Sequence, residues 1–237
     1  MGRLALIGGH SILGAAPGEG FEPLTVETPS GPVALFERGE VVLLQRHGFE
    51  RYTTAAKLDH GRNLAALRSL DCDRVLAVAS VGGLRPELGV GSFVCPDDFI
   101  ALHLGLSLSD QHGGERVPGF DLEWRRSVLD AWGRVAEPIL LDGGVYWQAI
   151  GPRFETPAEI RLIAAHADVI GMTVASESIV AGELGIAYAA VCVVDNLANG
   201  IGAERLSVEE FEAGKEANRT RLITALDLVT PELEAAG

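Results

Sequence analysis

Cysteine, positive charge and long apolar runs are all scarce in this 237-residue chain. Each shortage removes a class of protein. Three cysteines (Cys72, Cys95 and Cys192) make an odd count at spacings that fit no zinc motif. That excludes a disulfide framework and points to reduced, buried thiols in a cytoplasmic protein. The longest apolar runs, residues 41–44 and 186–194, fall short of the ~18–20 residues a membrane-spanning helix needs. Lys and Arg number 19 against 33 Asp and Glu, a formal net charge of -14 with no basic stripe. Such a field repels a phosphate backbone, so no nucleic-acid partner is expected. The first nine residues run directly into a strand and a glycine turn without a cleavage site, so no signal peptide is expected.

What is present suffices for a core. Hydrophobic residues make up 47% of the chain and charged residues 22%, which excludes disorder. The length suits one domain over residues 1–237, since α/β folds often run to ~200–250 residues as a unit.

Short β-branched runs alternate with longer helical stretches. Residues 4–7 read as a strand closed by Gly8-Gly9, and 33–36 with 41–44 as a hairpin around Glu37-Arg38-Gly39-Glu40. Further strands are expected at 74–80, 93–95, 99–102, 144–150, 168–172 and 187–194. Helices are expected at 63–70, 123–136, 176–184 and 208–228, the last capped by Ser207. Thr156-Pro157-Ala158-Glu159 opens another helix, with Thr156 as N-cap, Pro157 at the first helical position and Glu159 completing a capping box. Residues 103–121 carry Gly, Ser and His with little periodicity and read as a loop. The alternation predicts an α/β fold with a mixed, largely parallel central sheet flanked by helices.

In such sheets ligands bind beyond the carboxyl ends of the strands, and four strand ends here carry unusual loops. Gly8-Gly9-His10-Ser11 offers backbone N–H groups and two side-chain donors to an anion, or is a plain structural turn. It lacks the P-loop Lys and the dinucleotide fingerprint, so neither ATP nor NAD is supported. Gln45-Arg46-His47-Gly48 presents a planar fork of donors suited to phosphate, or an exposed Arg beside a turn. Ala79-Ser80-Val81-Gly82-Gly83 is a third glycine-closed end. In Gly151-Pro152-Arg153-Phe154-Glu155-Thr156, Phe154 suits a stacked heterocycle or the core. Glu155 suits hydrogen bonds from ring N–H groups or the first turn of a helix. Asp195-Asn196 ends an apolar strand with polar groups that need partners.

Together these motifs resemble the trimeric purine nucleoside phosphorylases, within them the methylthioadenosine/methylthioinosine phosphorylase branch. The similarity runs in order through Ile7-Gly8-Gly9, Arg46-His47-Gly48, and residues 78–84, 91–100, 151–159, 167–173, 183–189 and 194–201. Residues 151–161 are very specific to that family, and 103–121 match least. The resemblance implies phosphorolysis: phosphate attacks C1′ of a purine nucleoside, releasing the base and a pentose 1-phosphate through an oxocarbenium-like transition state. Catalysis is then positioning plus electrostatics. No metal or organic cofactor is implied, inorganic phosphate being the co-substrate, and a cytoplasmic homotrimer or hexamer is expected.

Carried over by resemblance, Gly9, His10, Ser11, Arg46, His47 and Ser80 match phosphate ligands. Phe154 matches the base-stacking aromatic, and Met172 and Thr173 the residues beneath the ribose. Glu155 and Asn196 match the pair that reads the base in 6-oxopurine enzymes, so hypoxanthine or guanine is favoured over adenine. Asn196, Glu155 and His47 are the catalytic candidates. Val208 falls where 6-oxopurine enzymes carry a His for the 5′-hydroxyl, and an apolar residue there suits a 5′-methylthio group. Three departures stand out: His10 replaces a Ser or Thr, Ala79 replaces a hydroxyl-bearing phosphate ligand, and Asp59-His60-Gly61-Arg62-Asn63 replaces Asn-Tyr-Arg-Ala-Asn. They leave two alternatives: a nucleosidase using water, and a non-catalytic nucleoside-binding relative.

Overall fold

The computed structural model describes residues 2–9, 12, 19–49, 51–108, 115–202 and 208–235. Among these residues eleven strands form one sheet around two central ones, β1 (Arg3–Gly8) and β5 (Cys72–Gly83). On one side of β1 lies β4 (Val41–Gln45), parallel to it, then β3 (Gly31–Arg38) and β2 (Glu22–Thr28), each antiparallel to its neighbour.

One edge of β5 pairs in parallel with β11 (Ala187–Leu197) from Arg74 to Gly83. The other edge is shared: β1 occupies it first, and at Gly82 and Gly83 β10 (Val169–Gly171) takes its place, antiparallel. Beyond β10 come β9 (Val145–Gln148) and β7 (Asp98–Ile100), and beyond β11 come β6 (Phe93–Cys95) and β8 (Leu140–Asp142). The sheet therefore forks where β5 ends. A Cβ at Gly82 would lie 3.1 Å from the Ile170 side chain and 3.3 Å from Nδ2 of Asn196. The fork closes because that atom is missing.

Burial on both faces explains why the central strands read as continuous apolar runs. Along β11, Ala190, Cys192 and Val194 join one core while Ala189, Val191 and Val193 join the other. The first core packs against α1 (His60–Ser69) and α4 (Val174–Glu183), the second against α2 (Leu122–Val135) and α5 (Val208–Ala235). Asp59 and Asp121 cap α1 and α2, their carboxylates accepting from the N–H groups of Arg62 and Trp124 at 2.8 Å. The expected capping box opens α3 (Pro157–Ile163), with both of its reciprocal bonds present. All three cysteines are buried and free, and burial pushes the Cys72 and Cys95 thiols up to about 12. Among the described residues no helix is long and apolar enough to cross a membrane.

The mixed, mostly parallel α/β sheet is as expected from the sequence; several elements differ. β2 was not anticipated, because it is a polar edge strand whose Leu24 and Val26 are only partly buried. β8 has three residues, two of them exposed, and carries too little pattern to read. The last helix does not stop at 228 but passes through Pro231 to Ala235. Val229 and Leu233, both fully buried in the second core, hold that final turn in place. No helix or strand spans 103–108 or 115–121. Ser207, expected as a cap, lies outside the described residues.

Candidate functional site

A pocket of about 360 Å³ opens at the carboxyl ends of β4, β5, β9, β10 and β11, roofed by the start of α5. Of the expected site residues, Arg46, His47, Ser80, Phe154, Glu155, Met172, Thr173, Asn196 and Val208 all line it. Gly9 stands directly behind, against the Arg46 guanidinium. His10 and Ser11 lie outside the described residues.

The order of strands spreads these groups across the pocket. Arg46 leaves the end of β4 and is almost fully buried. Its Nε and Nη2 donate to the two carboxylate oxygens of Glu177 at 2.6 and 2.9 Å, and Nη1 donates to the Val78 carbonyl at 2.7 Å. Burial opposes the charge on Arg46, but Glu177 outweighs it and holds the guanidinium protonated. His47, next in the chain, stacks on Tyr52 with centroids 5.2 Å apart. Its Nδ1 lies 2.8 Å from the Thr53 carbonyl, which can only accept, so Nδ1 carries the proton. Ser80, on the end of β5, has a buried Oγ with no hydrogen-bond partner among the described residues. A buried hydroxyl on a pocket wall without a partner is the state a polar ligand relieves.

At the other end of the pocket the wall is aromatic. Phe154 is 39% exposed, so it is a wall residue rather than core, and it lies 5.8 Å from Phe211 of α5. Glu155 precedes the Thr156 cap and so stands outside the first turn of α3, where Glu159 sits instead. Burial, the largest influence, raises the Glu155 carboxyl pKa above the ordinary value. Asn199 Nδ2 donates to the Glu155 carbonyl at 3.2 Å and ties this loop to the end of β11. Asn196 donates Nδ2 to the Leu197 carbonyl at 2.9 Å.

The polar strand end at 195–196 divides into two roles. The pairing of β11 with β5 skips Asp195, which is left unpaired in the ladder at a bulge. Asp195 meets Asn218 of α5, whose Nδ2 donates to it at 2.8 Å, and so anchors the roof. Asn196 faces the pocket. Met172 and Thr173, just beyond β10, also line the pocket. The backbone N–H groups of Thr173 and Val174 both donate to the Tyr146 hydroxyl, at 3.1 and 3.4 Å, which holds the turn into α4.

Reading the sequence missed Tyr52, Asn199, Phe211 and Glu212 on the pocket wall, and Glu177 and Tyr146 behind it. Glu177 did leave a signal: it is an acid in the first turn of a helix, Val174–Glu183, whose other residues before the closing Glu183 are apolar or small. Among the described residues no three His, Cys, Asp or Glu side chains are grouped to hold a metal ion.

Residues 5–230 match the family model of the phosphorylase superfamily. The chain belongs to that superfamily. It is 35% identical over 221 residues to an Archaeoglobus fulgidus protein named "Probable 6-oxopurine nucleoside phosphorylase", with 91% of each chain covered. Identity to the 6-oxopurine nucleoside phosphorylase of Pyrococcus furiosus is 32%, over 100% of this chain and 96% of that one. A Methanocaldococcus jannaschii protein named "Probable S-methyl-5'-thioinosine phosphorylase" is 33% identical, with 95% and 91% covered. Among solved structures, methylthioadenosine phosphorylase from Schistosoma mansoni in complex with adenine superposes with a TM-score of 0.79. That pair shares 23% identity and covers 99% and 96% of the two chains, a likeness of fold.

Proposed function

We propose that this protein cleaves 6-oxopurine nucleosides by phosphorolysis. Inorganic phosphate bonds to C1′ as the bond from C1′ to N9 breaks, giving a pentose 1-phosphate and the free base. The observation that carries this reading is the placement of two unlike ends in one pocket. Arg46 and the unpartnered Ser80 hydroxyl suit an anion, while Phe154, Glu155 and Asn196 suit a flat, hydrogen-bonding base. Met172 and Thr173, which line the same pocket, are the residues this reading gives to the sugar. The family and the names of the relatives agree with the reading.

The chemistry of Glu155 favours a 6-oxo base. A 6-oxopurine carries a proton on N1 for a carboxylate to accept, whereas adenine presents a lone pair there. Asn196 supplies an amide that donates toward N7 or O6 as negative charge builds on the leaving base, a bond that strengthens in the transition state. Val208 and Phe211 give the pocket mouth an apolar side that suits a 5′-methylthio group, and Tyr52 and Glu212 give it a polar one. Inosine and 5′-methylthioinosine are therefore both substrates to test.

Hypoxanthine release from these two, with and without phosphate and with adenosine and 5′-methylthioadenosine as controls, tests the proposal. Phosphate-dependent release from the 6-oxopurine pair is expected. Release that ignores phosphate would make the protein a nucleosidase, and no release from any of the four would make it a binding relative. Activity is expected to survive EDTA, since no metal is invoked. The same reading carries a cytoplasmic homotrimer or hexamer. Exposed Leu102, Ile150 and Leu162 support assembly, and a light-scattering mass at the 25.0 kDa of one chain would refute it.

A further inference from the structure

We propose that Glu177 is a positioning residue for the anion end of the pocket, setting the Arg46 guanidinium in the one orientation that leaves donors for phosphate. This rests on the phosphorolytic reading above. Arg46 has five N–H groups. Glu177 takes one from Nε and one from Nη2, and the Val78 carbonyl takes one from Nη1. One N–H on each terminal nitrogen is left, and Arg46 lines the pocket whereas Glu177 does not.

Glu177 is itself over-determined. It is fully buried within α4, and the Tyr188 hydroxyl donates to its Oε2 at 2.7 Å. His60 Nδ1 stands 3.9 Å from Oε1, and burial, its largest influence, keeps this imidazole below its ordinary pKa and so neutral near pH 7. The cluster of Arg46, Glu177, Tyr188 and His60 thus carries no net charge. That is a poor arrangement for attracting a dianion by charge and a good one for fixing a donor fork.

The two roles predict opposite signs. If Glu177 only neutralised Arg46, removing its charge would strengthen phosphate binding. If it positions Arg46, Glu177→Gln loses one acceptor of the bidentate pair, since the amide NH₂ cannot accept, and the fork turns. The KM for phosphate is then expected to rise about 10-fold while the KM for inosine changes little. Glu177→Gln with an unchanged or lower phosphate KM overturns the proposal. Tyr188→Phe frees one Glu177 oxygen and is the second variant should Glu177→Gln fail to fold. It is expected to raise the phosphate KM about threefold, and no change in a folded Tyr188→Phe overturns the proposal as well.

A readout without turnover separates this proposal from the function it rests on. Inorganic phosphate should raise the Tm of the wild type more than that of Glu177→Gln or Tyr188→Phe, even if no nucleoside is cleaved. Equal rises in wild type and variant would sink the positioning role whatever the enzyme activity.

Discussion

Gly9 leaves room for Arg46: a Cβ at position 9 would overlap Nη1 of that guanidinium and come within 2.8 Å of the Val78 carbonyl to which Nη1 donates. Under the proposed function, the glycine after β1 would serve the anion end through its missing side chain, beyond any N–H group it offers. Gly9→Ala should displace the fork and raise the KM for phosphate by about 10-fold or more, because small misplacements of positioning groups are costly. Nucleoside KM should hold. Steady-state kinetics with each substrate varied in turn would check this, and parallel losses in both KM values would locate the damage in the fold instead.

Asn196→Asp replaces an amide that donates to the Leu197 carbonyl with a carboxyl. A protonated carboxyl keeps that donor, and a carboxylate accepts from an exocyclic amino group. The ratio of adenosine to inosine kcat/KM should rise about 10-fold or more, as expected when a site's hydrogen-bond partner changes character. An unchanged ratio would mean that the base is not read at Asn196.

Ala79→Ser restores a hydroxyl beside the unpartnered Oγ of Ser80 on the pocket wall. One added neutral hydrogen bond to phosphate is worth ~0.5–1.5 kcal/mol, so the phosphate KM should fall ~2- to 10-fold. Calorimetric titration of the apo protein with phosphate would show the same gain. Absence of any gain would remove Ala79 from the anion end.

Under the proposed function, Glu155 is expected to make nucleoside binding pH-dependent. Its carboxyl pKa is raised by burial, so on acidification it takes up a proton at a higher pH than an exposed glutamate does. The protonated form cannot accept as a carboxylate does from N1–H, and the KM for inosine should climb as pH falls through that raised value. Glu155→Gln should abolish this limb of the KM–pH profile. The stability sign is opposite. A carboxyl raised in the folded state contributes stability below its unfolded pKa and loses it as pH rises through the folded value. Glu155→Gln should therefore raise the Tm of the apo protein at neutral pH, and a lower Tm there would contradict the burial cause.

Much of this protein is determined locally. The capping box at Thr156 and Glu159 forms wherever that spacing meets a helix start, and its two reciprocal bonds involve residues three apart. The hairpin of β3 and β4 follows from its turn residues, and the alternating cores of β11 follow from an apolar run long enough to be covered on both faces. The glycine-closed strand ends and the loop holding Phe154 and Glu155 mark the site because backbone close to a ligand and groups beyond a strand end have few other uses.

Tertiary structure decided which of these motifs meet, and at what angle. Glu177 lies 131 residues from Arg46, and the pair exists only because α4 packs behind the end of β4. Phe154 finds Phe211, and Asp195 finds Asn218, because α5 returns over the fork of the sheet. The bulge at Asp195 is set by pairing with β5, which a run of apolar residues does not encode. Composition and periodicity report what each segment buries, whereas strand order and register determine which segments converge. A hydrogen bond between distant side chains depends on that convergence to within a few tenths of an ångström.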